Sequence, residues 1–383
     1  MSIPYGRQSI DDDDIAAVVQ VLRGDWLTQG PAVTEFEEAF ARACDAPYAV
    51  AFSSGTAALH GAAFAAGVGP GDELVTSAMT FAASANCGAY LGAVPRFADI
   101  DRSTWNVNPE SVAALVGERT RLVIPVHYTG LPAPIAEIRR AIGDGVVIVE
   151  DAAHALGATQ PDEVVGACRH SDMSVFSLHP VKLITSGEGG VVTTRSETLK
   201  ERLRLFRSHG LTKDPQALER NEGGWWQEQH VLGLNYRLTD IHAALGRSQL
   251  RKLDRFVERR NEVAARYRTL LADLDAVELP PAAPTGSRHA YHLFVVRCRD
   301  GAGARRRLYD HLRDRDVLAQ VHYAPVYFHP WYRQQFGYER GLCPEAERLY
   351  EGCLSLPCFP LVSEDDQRLV VGAIEDALAR EPA

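Results

Sequence analysis

The chain has 383 residues, 46% hydrophobic and 23% charged, enough for a large core and ordinary for a globular protein. Its net charge of −10 and the lack of a Lys/Arg-rich block argue against nucleic acid as a partner. No apolar run approaches membrane-spanning length, and no charged-then-apolar signal opens the chain, so a cytoplasmic protein without a membrane partner is expected.

Four aspartates, Asp11 to Asp14, load the first turn of a helix expected over 11–23, with Ile15, Val18, Val19 and Leu22 on one face. A second helix is expected from Thr34, with Glu37 completing a capping box and Val33, Phe36 and Phe40 buried. From residue 48, short apolar runs alternate with helical stretches. Strands are expected over 48–52, 73–76, 95–100, 121–126, 146–150, 174–177 and 190–194. Several are apolar without alternation, the pattern of a sheet covered on both faces. The result is an α/β domain with a mostly parallel sheet, of the kind that binds ligands at the carboxyl ends of its strands.

The polar, Gly-rich stretch 211–234 carries Trp225 and Trp226; a loop of that length is usually functional or disordered. A long helix is expected over 239–271, and Pro280, Pro281 and Pro284 then mark a break. Beyond it, strands over 292–298 and 318–323 and helices over 304–315 and 364–379 make a smaller α+β domain. The expected division is 1–245 and 246–383. Seven cysteines without CxxC spacing read as reduced thiols. The thirteen histidines form no HExxH or paired pattern with cysteine, so no metal site is expected.

Two groups in the α/β half point to chemistry. Lys182, closing the run Ser177-Leu178-His179-Pro180-Val181-Lys182, offers an amine that forms a Schiff base with an aldehyde. Asp151, at the end of the apolar strand, offers a carboxylate that can keep a pyridine nitrogen protonated. Pyridoxal 5'-phosphate (PLP) needs both from a protein, so it is the expected cofactor.

Upstream, Ser53-Ser54-Gly55-Thr56-Ala57 lies between a strand and a helix, where backbone N–H groups and the Thr56 hydroxyl can cradle a phosphate. Taken alone, that segment reads better as a capped helix. Phe81 either stacks on a flat ring or belongs to the core. Asp151 taken alone also fits an N-cap or an ion pair, and His154 either orients it, lies by the ring or is a satisfied buried histidine. Ser177 can donate to the cofactor phosphate, and a freed Lys182 amine can move a proton on the substrate carbon. His179 reads as structural or substrate-facing. The run Ser186-Gly187-Glu188-Gly189-Gly190 suggests tight backbone beside a ligand, or only a hairpin.

In this order, these residues resemble the nucleotide-sugar aminotransferases of the aspartate-aminotransferase fold. The resemblance runs nearly end to end. Leu27-Thr28-Gln29-Gly30-Pro31, the 53–57 segment, Glu150-Asp151-Ala152-Ala153-His154, the 177–182 run, Gly187 to Gly190 and Gly233-Leu234-Asn235-Tyr236-Arg237-Leu238 carry it. Leu178 stands where phenylalanine is usual. Tyr5-Gly6-Arg7-Gln8, the 177–182 run and the segment from Gln320 to Tyr327 are most similar to the branch acting in pseudaminic acid biosynthesis.

The resemblance implies a PLP-dependent transferase fold and amino transfer from L-glutamate to C4 of a UDP-4-keto-6-deoxy-N-acetylhexosamine. It also implies a homodimer with shared sites, Asn235 reaching the cofactor phosphate of the neighbouring subunit. Arg237 is then a partner for sugar-nucleotide phosphates. Tyr5, Trp26, Leu27, Thr28, Gln320, Val321, His322 and Tyr323 match positions lining the sugar-nucleotide pocket. The rivals are another keto sugar, aminated at C3 or as a different epimer, PLP chemistry on amino acids alone, and a non-catalytic regulator. A regulator is expected to lose Lys182, Asp151 or the phosphate cradle, and all three are present.

Overall fold

The computed structural model describes residues 2–378. Seven strands form its main sheet: β1 Tyr48–Phe52, β2 Glu73–Ser77, β3 Val94–Ala98, β4 Thr120–Ile124, β5 Val147–Asp151, β6 Met173–Ser177 and β7 Gly190–Thr194. Their order is β1-β7-β6-β5-β4-β2-β3. Only β7 runs against its neighbours, so β1 to β6 all end at one edge of the sheet.

The lack of alternation in these strands has a direct cause. Ala49 and Ala51 of β1 join Phe36, Phe40 and Val191 in one core, while Val50 and Phe52 join Val175, Val192 and Leu203 in another. Successive side chains point to opposite faces, and both faces are covered. The covering helices are α2 Pro31–Ala43, α3 Gly55–Ala65, α4 Ala83–Ala89, α5 Pro109–Leu115, α6 Ile135–Ile142, α7 Glu197–Arg207 and α8 Asp240–Leu250, and α1 Asp12–Leu22 packs on α8 from outside. Next comes α9, Leu253–Leu270, and then a three-stranded antiparallel sheet of β8 Val277–Glu278, β9 Phe294–Cys298 and β10 Cys353–Leu356. With α10 Gly301–Arg313 and α13 Glu364–Leu378, it encloses a separate core around Phe294, Leu308 and Ile374; α11 Pro330–Phe336 and α12 Pro344–Gly352 lie between.

Several expectations need correction. The α2 helix starts at Pro31 rather than Thr34, because the Asp240 carboxylate accepts from the N–H of Gly30 at 2.8 Å and of Ala32 at 3.0 Å. Glu37 is no capping residue; it is buried against the sheet, accepting from the Ala51 N–H at 2.8 Å and from Arg207. The capping box belongs to α1, where Asp11 and Asp14 bond reciprocally. In α1 the buried side chain is Asp14, held by Gln249 Nε2 at 2.6 Å and Lys252 Nζ at 2.8 Å, while Ile15 and Leu22 are 55% and 54% exposed.

The helix expected over 239–271 breaks at Arg251 and Lys252, which sets Lys252 against Asp11 and Asp14. The strand expected over 318–323 shrinks to Val317–Leu318, paired in parallel with Ile3–Pro4, because Gln320 bonds Ser355 instead. Only Leu211–Thr212 and Glu228–Gln229 are paired within 211–234. Ala379, the expected end of the last helix, lies outside the described residues. No helix among those residues is long and apolar enough to cross a membrane.

Candidate active site

A cavity of about 470 Å³ opens where β1, β2, β5 and β6 end. At its β1 side, Ser54 caps α3, its Oγ accepting from the Ala57 N–H at 3.1 Å. The capped-helix reading is therefore correct for Ser54, and it uses the Ala57 donor. The N–H groups of Gly55 and Thr56 keep no protein partner and point where the helix dipole favours an anion. Ser177 stands against them. A Cβ on Gly55 would come within 2.9 Å of the Ser177 Cβ and 3.1 Å of its Oγ, so only glycine leaves this cradle open. Gly190 is fixed in the same way: a side chain there would meet the Ser54 carbonyl.

Asp151 is buried at the tip of β5. Its Oδ1 accepts from the Ala153 N–H at 3.1 Å, and its Oδ2 accepts from the Ser84 hydroxyl at 2.6 Å. Ser84 has one hydroxyl proton, which goes to Asp151, so Thr80 Oγ1 at 2.6 Å donates to Ser84 in turn. This relay, from Ser84 on α4 and Thr80 in the turn before it, fixes the carboxylate from behind.

His154 follows in the turn after β5. Burial, and then the charge of Lys182, hold its pKa well below the usual value, so the ring is neutral. Its Nε2 lies 3.1 Å from the Tyr323 hydroxyl, and its buried Nδ1 has no partner. The Tyr323 ring is 6.1 Å from that of Phe81, and His322 packs 4.9 Å from Tyr5. The His322 ring bonds Ser355 Oγ at 2.8 Å, and the Tyr128 hydroxyl donates to the His322 carbonyl.

Lys182 lines the same cavity. Burial pulls its amine down to about 8; the positive charge of Arg260 pushes the same way and Asp151 opposes both. An amine titrating there is partly neutral near neutral pH and able to act as a nucleophile or move a proton.

Of the residues expected at the site, Tyr5, Gly55, Thr56, Phe81, Asp151, His154, Ser177, His179, Lys182, His322 and Tyr323 line this one cavity. Ala57 is buried behind the cradle. Asn235 and Gln320 are exposed, and neither they nor Arg237, Val321, Leu27 or Thr28 line it. Trp26 lies in a different groove, between α1 and α8. Sequence reasoning missed Ser84, Thr80 and Arg260. The i, i+4 pair Thr80 and Ser84 was a usable signal, but nothing in the sequence aims it at Asp151.

A primary amine, a carboxylate and an anion cradle converging at the carboxyl edge of a mostly parallel sheet define the site of a PLP-dependent enzyme. Residues 8–375 match the DegT/DnrJ/EryC1/StrS aminotransferase family, and the chain belongs to that family. The spore coat polysaccharide biosynthesis protein SpsC of Bacillus subtilis is 37% identical over 378 residues, 98% of this chain and 96% of that protein. Helicobacter pylori PseC, an aminotransferase involved in the biosynthesis of pseudaminic acid, superposes with a TM-score of 0.91 at 28% identity, over 98% of this chain and 99% of that one. Spr1654 of Streptococcus pneumoniae, solved in its PLP form, gives a TM-score of 0.91 at 25% identity, over 98% of each chain.

The cofactor of the family is PLP, and the residues present fit it. The open cradle at Gly55 suits its phosphate, the unpartnered Nδ1 of His154 leaves a buried polar group for it, and the amine and the carboxylate supply what its aldehyde and ring nitrogen require.

Proposed function

We propose that the enzyme moves an amino group from L-glutamate to C4 of a UDP-4-keto-6-deoxy-N-acetylhexosamine in the cytoplasm. The observation that carries the amino-transfer step is Lys182, an amine at about 8 in one cavity with the braced carboxylate of Asp151. The likeness to PseC supports the sugar and the pathway. Seven buried, unpaired thiols support the compartment.

Bound PLP supplies an aldehyde that takes up an amine and a ring that accepts the electron pair left when the substrate carbon loses its proton. The Gly55 and Thr56 N–H groups, the Thr56 hydroxyl and Ser177 hold the phosphate at the start of α3. Asp151, held by Ser84 and the Ala153 N–H, keeps the proton on the ring nitrogen. Phe81 would cover the ring, and neutral His154 would offer Nδ1 to a polar group of the cofactor or substrate. Lys182 removes the proton from the donor's α-carbon and later delivers one to C4 of the sugar. Tyr5, His179, His322 and Tyr323 face the sugar from the open side.

The 37% identity to SpsC supports a second reading, in which the product enters another surface polysaccharide and the chemistry is unchanged. The test is a half-reaction followed by absorbance. Glutamate should bleach the cofactor's visible band, and a UDP-4-keto-6-deoxy sugar should restore it. Restoration by the L-altro sugar alone fits the pseudaminic acid route, and restoration by the D-gluco sugar alone moves the pathway. Lys182→Ala should abolish turnover, and a Lys182→Ala enzyme that still aminates the sugar sinks the proposal.

A further inference from the structure

Arg260 is one of the largest fully buried side chains in the protein, 1% exposed, on α9 behind the cavity. A guanidinium so enclosed is normally paired with a carboxylate. Arg260 forms no such pair with any described residue. Its Nη1 donates to three main-chain carbonyls, those of Tyr291 at 3.2 Å, His292 at 3.2 Å and Cys358 at 2.5 Å. Its Nη2 donates to the carbonyl of Lys182 at 3.4 Å, and its Nε has no partner. Carbonyl dipoles hold such a cation in place and leave its unit charge uncompensated.

We infer that Arg260 is a positioning residue for Lys182: it clamps the lysine's main chain to the C-terminal segments and stands as a permanent positive charge behind its amine. This rests on the reading of Lys182 as the group that moves the proton. Arginine suits the task because it stays charged where a buried lysine would lose its proton. Among the other groups facing Lys182, Asp151 favours the ammonium form, and Glu188 lines the same cavity. His154, His292 and His322 are kept neutral by burial, and the phenols of Tyr5 and Tyr323 are pushed up by it. His179 also lines that cavity, and Arg7 borders a second, small cavity with Lys182 and Arg260 but is exposed, where water screens its charge. Arg260 is therefore the enclosed positive charge in that set, set against the carboxylate of Asp151. It makes the Lys182 ammonium give up its proton to the substrate carbon more readily.

The test is titration of Lys182 in cofactor-free protein, by the pH dependence of its acylation with a small amine reagent, read from the mass of the Lys182 peptide. The wild-type midpoint should lie at about 8. Arg260→Gln, which removes the charge and keeps a donor, should raise the midpoint by about one pH unit and make acylation at pH 7 about tenfold slower. A folded Arg260→Gln protein with the wild-type midpoint overturns the inference. Should that variant fail to fold, Arg260→Met, a neutral side chain of similar length, takes its place: a raised midpoint upholds the inference, and the wild-type midpoint overturns it. The readout needs no turnover, so it separates this inference from the transaminase reading, which Lys182→Ala tests.

Discussion

Asp151 shows how one side chain serves two ends. Its Oδ1 closes a local turn on the Ala153 N–H, which is the bland reading of an aspartate after a strand. Its Oδ2 is held by Ser84 on α4, and Ser84 by Thr80 in the turn that precedes the helix. A hydrogen bond to a carboxylate is worth about 1.5–3 kcal/mol. Ser84→Ala leaves the fold in place, because Ser84 is small and buried beside Ala83 and Ala85. It frees the carboxylate to turn away from the ring nitrogen, so kcat should fall by about tenfold or more, beside a modest fall in melting temperature from the lost hydrogen bond. Steady-state kinetics beside a thermal melt checks this, and an unaltered kcat would show that Asp151 needs no brace. The pairing of Asp151 with Lys182 was readable from residue types and order alone. Ser84 was not, because the contact spans 67 residues and depends on how α4 sits against β5.

At the scale of elements, the strands were legible because burial on both faces makes every position apolar, and that pattern survives without knowing the neighbours. Helices were legible in existence but not in orientation. In α1 the apolar residues fall on one face, yet the side chain the structure buries is Asp14, satisfied by Gln249 and Lys252. The start of α2 was misplaced because its cap comes from Asp240, more than two hundred positions away, and no local motif announces it. Losing a capping carboxylate costs about 0.5–2 kcal/mol. Asp240→Ala should therefore lower unfolding stability by about 1–2 kcal/mol, seen as a shift of the urea midpoint at unchanged slope. A midpoint identical to wild type would mean that water replaces the carboxylate at no loss.

At the scale of the whole molecule, we propose two domains, 1–245 and 246–383, supported by one core at the seven-stranded sheet and another at the three-stranded sheet, with a further core of Phe97, Tyr128, Val295 and Tyr327 shared between them. The α9 helix serves both, with Phe256 and Val257 in the first and Val263 and Tyr267 in the second, and Arg260 stands between them. A single chain assembles the amine, the carboxylate and the cradle, while Asn235 and Arg237 sit on a segment that does not line its cavity. Exposed Trp26, Leu27 and Leu234 lie in the same two segments, 26–28 and 233–238, and they suit burial between two copies.

We propose a two-fold homodimer in which Asn235 of each chain serves the cofactor phosphate of the other, a site completed across an isologous interface. Mixed subunits test this directly. Lys182→Ala should be inactive, and Asn235→Ala should be nearly so at limiting cofactor. When the two variants are refolded together, each hybrid dimer carries one site with both residues intact. Random reassortment then returns about a quarter of the wild-type activity. If Asn235 instead served its own chain, every intact lysine would sit beside a missing asparagine, and mixing would restore nothing.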